Sequence, residues 1–321
     1  MTVKTKHTGI SGHVRMKKSR QNMLTLVCGE TGVGKTYRNL QEIKYYLKDN
    51  PVSGKKGRKV LAFDTNDDDY TSFKTVSPEQ LYRLSALRPR RIRPYNKDGS
   101  PMGNPEKKEV VKKILKYFRN GLIILDDIDD YMTFEKGQDL VSSLCTLRHK
   151  GVDIIFTHQT IGKISKTAWQ NCTWLRLHHQ VDDILEYKSR IPKYPIVRIA
   201  TLIVDEQYDL AYSKFTRGEI SEDEFEKRAS FFVYVNLRKQ RLRGCSRAAY
   251  IRAVKKFIDQ EEGRKLRMML SERTFTVDST FRYKNRNEAV VKLITDYLRF
   301  HEPNTGSPFQ QPVTFKKTAL N

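Results

Sequence analysis

Residues 29–36 read Gly-Glu-Thr-Gly-Val-Gly-Lys-Thr, and this octet restricts the chain more than any other part of it. Three glycines, a lysine and a threonine at that spacing let successive N–H groups turn toward an anion. Such a loop works only where a buried strand hands over to a helix. Both neighbours are present. Residues 23–28 (Met-Leu-Thr-Leu-Val-Cys) suit a buried parallel strand, and 36–47 place Leu40, Ile43, Tyr46 and Leu47 on one helical face. Gly29, Gly32 and Gly34 are expected to supply the unusual backbone angles, and the helix beginning near Gly34 its positive end. Lys35 is expected to reach the β and γ phosphates of ATP, and the Thr36 hydroxyl to bind Mg²⁺. Glu30, Thr31, Val33 and Tyr37 complete the nucleotide-contacting stretch.

A phosphate loop alone does not hydrolyse ATP; a carboxylate at the end of a neighbouring strand must also hold the metal. Residues 122–127 (Leu-Ile-Ile-Leu-Asp-Asp) are an apolar run stopping in two acids. Asp126 is the expected Mg²⁺ ligand, and Asp127 the group that polarises the attacking water. Aspartate is one methylene shorter than the glutamate many such enzymes carry there. Gln159 ends another strand-like run, 152–157, and is placed to report the γ-phosphate state. That run is expected to lie between the first strand and the Asp126 strand.

Strands and helices alternate along the chain. A second strand covers 59–64, helical spacing covers 105–119 and 136–149, and a further strand covers 172–177. The stretch 65–104 reads as an insertion or long loop with a short helix at 78–87. After 190 the pattern is mostly helical: 196–214, 221–230, and a helix capped by Ser246 running to about residue 260. A strand at 231–235 with a partner ending at Gly244 interrupts it, and a last helix covers 287–300. This pattern predicts an α/β fold: an open, mainly parallel sheet flanked by helices, with a mostly helical C-terminal part. The expected organisation is a basic arm at 1–22, an ATPase core at 23–262 and a basic extension at 263–321.

Lysine and arginine number 60 of the 321 residues against 37 acids, a formal charge of +23. A surplus that large implies a polyanionic partner, and nucleic acid is the usual one. The four cysteines, Cys28, Cys145, Cys172 and Cys245, form no Cys-x-x-Cys pair, and the histidines show no ligand spacing. His178 and His179 would point to opposite faces of a strand. No run approaches 18 apolar residues, so no membrane span is expected, and the N-terminus lacks the apolar stretch of a signal peptide. The expected location is the cytoplasm of a host cell, with virion association the alternative.

Taken in order, the loop at 29–36, the run 123–132, the segment 144–151, the strand 154–159 and the segment 164–182 resemble the FtsK–HerA superfamily of P-loop DNA translocases. That superfamily includes viral genome-packaging ATPases. The similarity covers about 23–185, and the acidic strand followed by a strand ending in Gln is its discriminating part. The resemblance implies a RecA-like (ASCE) core with the acidic strand beside, but not next in sequence to, the phosphate-loop strand. It also implies a homo-oligomeric ring in which an arginine of one subunit touches ATP held by its neighbour. Arg148 matches a basic position of the family and is the candidate. Asp127 in place of glutamate departs from the usual pattern.

Basic stretches at 55–59, 88–93, 238–247 and 264–267 are candidate DNA surfaces, the second as a Pro-bounded loop projecting into a pore. With no sequence-reading module visible, contacts to double-stranded DNA are expected to be sequence-independent. The leading reading is a DNA-translocating packaging motor, with a capsid or portal protein as a possible docking partner. A replication helicase or helicase loader, a filamentous-phage-assembly-like ATPase, and a non-hydrolysing nucleic-acid binder are the alternatives.

Overall fold

The computed structural model describes residues 23–49, 56–131, 150–275, 286–297 and 301–304. The glycine loop follows β1 (Leu24–Cys28), all five residues of which are buried. Its side chains serve two cores: Leu24, Leu26 and Cys28 face one, Val27 the other. After the loop comes α1 (Lys35–Leu47). Ile43 and Tyr46 are buried in the second core with Leu40 and Leu47 packed at its margin, as the helical spacing predicts.

The strands that follow are β2 (Lys59–Phe63), β3 (Lys74–Thr75), β4 (Pro89–Ile92), β5 (Gly121–Leu125), β6 (Asp153–His158), β7 (Trp174–His178), β8 (Phe232–Asn236), β9 (Arg241–Arg243) and β10 (His301–Asn304). The described helices after α1 are α2 (Asn104–Tyr117), α3 (Lys166–Asn171), α4 (Tyr194–Thr216), α5 (Glu222–Ala229), α6 (Arg247–Asp259), α7 (Arg264–Phe275) and α8 (Arg286–Tyr297). All ten strands form one sheet in the order β10-β9-β8-β7-β1-β6-β5-β2-β4-β3. Every pairing from β7 to β3 is parallel, while β8 runs antiparallel to both β7 and β9. The acidic strand β5 is therefore separated from β1 by β6 alone, as the reading of residues 152–157 expects, and does not lie directly beside β1 as the resemblance implies. Residues such as Ile123 and Leu125 face the large core under α2 and α4, and Leu122 and Ile124 face α1.

Two expectations are corrected. The stretch 65–104 is not one long loop: β3 and β4 extend the sheet beyond β2, and a 3₁₀ turn (Pro78–Arg83) stands where a short helix was expected. The basic run 88–93 is consequently not a loop projecting into a pore. Arg91 sits in β4, donating to Asp64 at 2.8 Å and pairing with Asp67 at 3.2 Å, and Arg93 also pairs with Asp67. Two acids from the β2–β3 connection make a strand tolerable where local composition argues for a loop. Residues 264–275, expected only as part of a basic extension, form α7. Its Leu266 and Leu270 join the large core, as do Val290 and Leu293 of α8. The arm at 1–22, the expected helix at 136–149, Cys145 and Arg148 lie outside the described residues.

Candidate functional site

The loop is stitched to both strands that flank β1. Gly29 N–H donates to the His158 carbonyl at the end of β6, and Glu30 N–H to the His179 carbonyl just past β7. Glycine is required at two kinds of position. Gly32 and Gly34 have φ of +88° and +74°, which an L side chain resists. At Gly29 the limit is space, because a Cβ there would lie 2.6 Å from the His178 Cβ. Lys35 is buried, and its ammonium donates to the carbonyls of Gly29 at 2.6 Å and Glu30 at 2.8 Å. Burial lowers its pKa while Asp127, Cys28 and Asp126 act in the opposite direction. The lysine is thus folded over its own loop, with a charge that phosphate oxygens would compensate better than two carbonyls.

Asp126 follows β5 at the C-terminal edge of the sheet and is 3% exposed. Its main-chain N–H donates to Phe63 O, and its carbonyl accepts from the hydroxyls of Thr65 and Tyr131. The carboxylate accepts from the Tyr70 hydroxyl at 2.8 Å. Burial pushes its pKa above the ordinary value, against the hydrogen bond from Tyr70. Lys35 and Asp126 perturb each other's ionisation, so the two expected phosphate-site groups converge.

Several residues that sequence reasoning did not single out support this pair. Arg176, fully buried in β7, donates to the Lys35 carbonyl at 3.0 Å and to Asn39 Oδ1 at 2.7 Å. Asn39 Nδ2 donates to the Tyr70 hydroxyl at 3.2 Å, and Tyr70 to Asp126. An unbroken polar chain, Arg176–Asn39–Tyr70–Asp126, therefore passes from β7 to β5 under the first turns of α1. Asp69 completes the group. Burial and the charges of Asp126, Asp68 and Asp64 push its carboxyl up to about 6, opposed by a hydrogen bond with the Thr36 side chain. Asp64, Asp68 and Asp69 bring carboxylate oxygens within 4.8 Å of one another. Asp64 is already committed to Arg91 and to the N–H groups of Asp67 and Tyr70. Thr36, Asp126 and Asp69 are the oxygen donors suited to a hard cation such as Mg²⁺.

Asp127 sits at φ +38°, ψ +51°, an uncommon conformation for a non-glycine residue, and accepts from Asn66 Nδ2 at 3.0 Å. Gln159 lies one residue beyond β6. Its main-chain N–H donates to Asp129 Oδ2 at 3.0 Å, and the other oxygen of Asp129 lies 2.6 Å from His158 Nδ1. Within the acidic run, Asp126 and Asp129 are both committed inside the site. Glu30, Thr31 and Val33 lie in the loop as expected. Tyr37, on α1, is 67% exposed.

The sequence model of the zonular occludens toxin (Zot) family matches residues 23–205, from the start of β1 into α4. No curated protein matches. Among solved structures, the genome packaging NTPase B204 from Sulfolobus turreted icosahedral virus 2, in complex with AMP, is similar at 13% identity and a TM-score of 0.42, over 69% of this chain and 96% of that one. Its complex with ATP-gammaS is similar at 15% identity and a TM-score of 0.41, over 69% and 95%. The N-terminal domain of zonular occludens toxin from Neisseria meningitidis is similar at 16% identity and a TM-score of 0.31, over 53% and 91%. Among the described residues, no helix is long and apolar enough to cross a membrane.

Proposed function

This chain belongs to the zonular occludens toxin family, and from that premise we propose that it is an ATP-hydrolysing motor that moves DNA. In this reading it acts as a ring of identical subunits and packages a viral genome, as an FtsK–HerA-type translocase. The observation that carries the reading is the convergence of Lys35 and Thr36, on the loop after β1, with Asp126, two strands away at the same edge of the sheet. A buried carboxylate at that edge, within electrostatic reach of Lys35, suits a metal-bound triphosphate.

In the proposed cycle Lys35 leaves the Gly29 and Glu30 carbonyls and donates to the β and γ phosphates, so charge that develops on the γ group meets a preformed ammonium. Thr36 and Asp126 would hold Mg²⁺, with Asp69 beside them; the bound ion would neutralise charge shared between those phosphates. Asp127, oriented by Asn66, accepts a proton from the attacking water, and Gln159 senses the γ position from the end of β6. Arg148 remains the proposed contact from a neighbouring subunit. The formal charge of +23 supports a polyanionic track, gripped through phosphates.

The test is phosphate release with and without double-stranded DNA, run beside mass measurement in the presence of nucleotide. DNA should accelerate turnover, nucleotide should promote a ring, and Lys35→Ala should abolish turnover while the chain stays folded. Turnover indifferent to DNA refutes the motor; stimulation by single-stranded DNA alone points to a filamentous-phage-assembly-like ATPase instead.

A further inference from the structure

A cavity of about 750 Å³ opens beside the phosphate loop on the flank opposite Asp126. Its walls include Arg38 of α1, Leu210 and Lys214 of α4, Lys227 of α5, and Phe231 and Phe232 where β8 begins. Because β8 runs antiparallel to β7, its first residue lies at the edge of the sheet that carries the loop: Phe232 pairs with His178, and His178 abuts Gly29. Ser230, also in the wall, has its Cβ 3.0 Å from where a Cβ on Gly34 would stand. The cavity and the loop are contiguous.

From this placement we propose that the cavity receives the nucleoside of the nucleotide, with its base stacked among Arg38, Phe231 and Phe232. The inference rests on the proposed function and specifies where the rest of its substrate goes. The strand order β8-β7-β1-β6-β5 sets the direction. The γ end of a triphosphate lies toward Asp126 on the β5 side, so the chain of phosphates leaves the loop past the first turn of α1. Arg38 stands in that turn and faces the cavity.

The wall is built to present flat groups. The Arg38 guanidinium lies 4.8 Å from the Phe232 ring centroid and is held by Glu42 at 2.8 Å. Glu42 also accepts from the Tyr234 hydroxyl at 2.5 Å, so the arginine is fixed from beneath. Arg38 Nε is buried and has no hydrogen-bond partner among the described residues. Guanidinium and aromatic planes stack on any base, and Lys214 and Lys227 add positive charge at the wall. A cavity of this volume falls in the range that small-molecule sites occupy.

The test is calorimetric binding of a non-hydrolysable ATP analogue and of inorganic tripolyphosphate to the full chain with Mg²⁺. Wild type is compared with Leu210→Trp, which fills the cavity from an exposed position, and Phe231→Ala, which removes a stacking face. Both variants should lose at least about tenfold in affinity for the nucleotide, the worth of one stacked base. Both should bind tripolyphosphate within about twofold of wild type. Nucleotide affinity unchanged in both variants overturns the pocket, as does an equal loss for tripolyphosphate, which would put the effect at the loop. Wild type that binds tripolyphosphate as tightly as nucleotide overturns the pocket and leaves the loop reading standing. Wild type that binds neither overturns both.

Discussion

Tyr70→Phe removes one oxygen from the middle of the buried polar chain and leaves the ring, packed 5.5 Å from Phe73, in place. Two groups lose a partner: Asn39 Nδ2, and the Asp126 carboxylate, which received the hydroxyl at 2.8 Å. A hydrogen bond to a charged group contributes about 1.5–3 kcal/mol. Because both positions are buried, the variant should be destabilised by about 2–3 kcal/mol, a fall in Tm of roughly 3–5 °C for a chain of this size. The pH dependence identifies the cause. Burial already holds the folded pKa of Asp126 above its ordinary value, and Tyr70 opposes that by favouring the charged form. Without the hydroxyl the folded pKa rises further. The stability gap is then largest where Asp126 is ionised in both proteins, and shrinks as pH falls through the variant's folded pKa and then the wild type's. Urea denaturation across a pH series falling from 8 until the gap stops changing measures it. A gap under about 0.5 kcal/mol at pH 8, or one that does not shrink anywhere along the series, would show that Tyr70 does not stabilise an ionised Asp126.

Asp69→Asn should stabilise the nucleotide-free protein above pH 6, because the folded pKa of about 6 stands over an unfolded value near 3.8. The full shift corresponds to about 3 kcal/mol, reduced to about 1–1.5 kcal/mol because the group is only partly buried. The gain should vanish below about pH 4, where both states are protonated; thermal melts across that range check it. Asp127→Gly should relieve the positive φ and raise stability by about 1 kcal/mol while phosphate release is lost, a divergence that melts and turnover assays read together. Gly34→Ala meets both a φ of +74° and Ser230 at 3.0 Å, and should cost about 1–2 kcal/mol and weaken nucleotide binding at least tenfold by calorimetry.

The phosphate loop and Asp126 were legible because each is a contiguous segment whose meaning lies in its immediate neighbours: an apolar strand, then glycines or acids. The capping of α6 by Ser246, whose hydroxyl accepts from Ala249 N–H, was legible for the same reason. Asp69, Tyr70 and Arg176 were not. Tyr70 reaches Asp126 across 56 positions and Arg176 reaches Asn39 across 137, and nothing in the local pattern of either marks it as polar core. Arg90 and Arg91 were misread for a related reason. Their strand depends on Asp64 and Asp67, and a proline-bounded basic hexapeptide carries no trace of acids more than twenty positions away. The cavity by α5 was invisible because its walls come from four separate elements.

The sheet's flank beyond β4 ends on β3, a strand of only two residues, both exposed. So short a border offers almost no unpaired ladder for another chain to continue. A copy of this protein docking along that border would have to meet it through side chains. Such a seam could slip or pivot without surrendering main-chain hydrogen bonds, as the proposed ring motor would require.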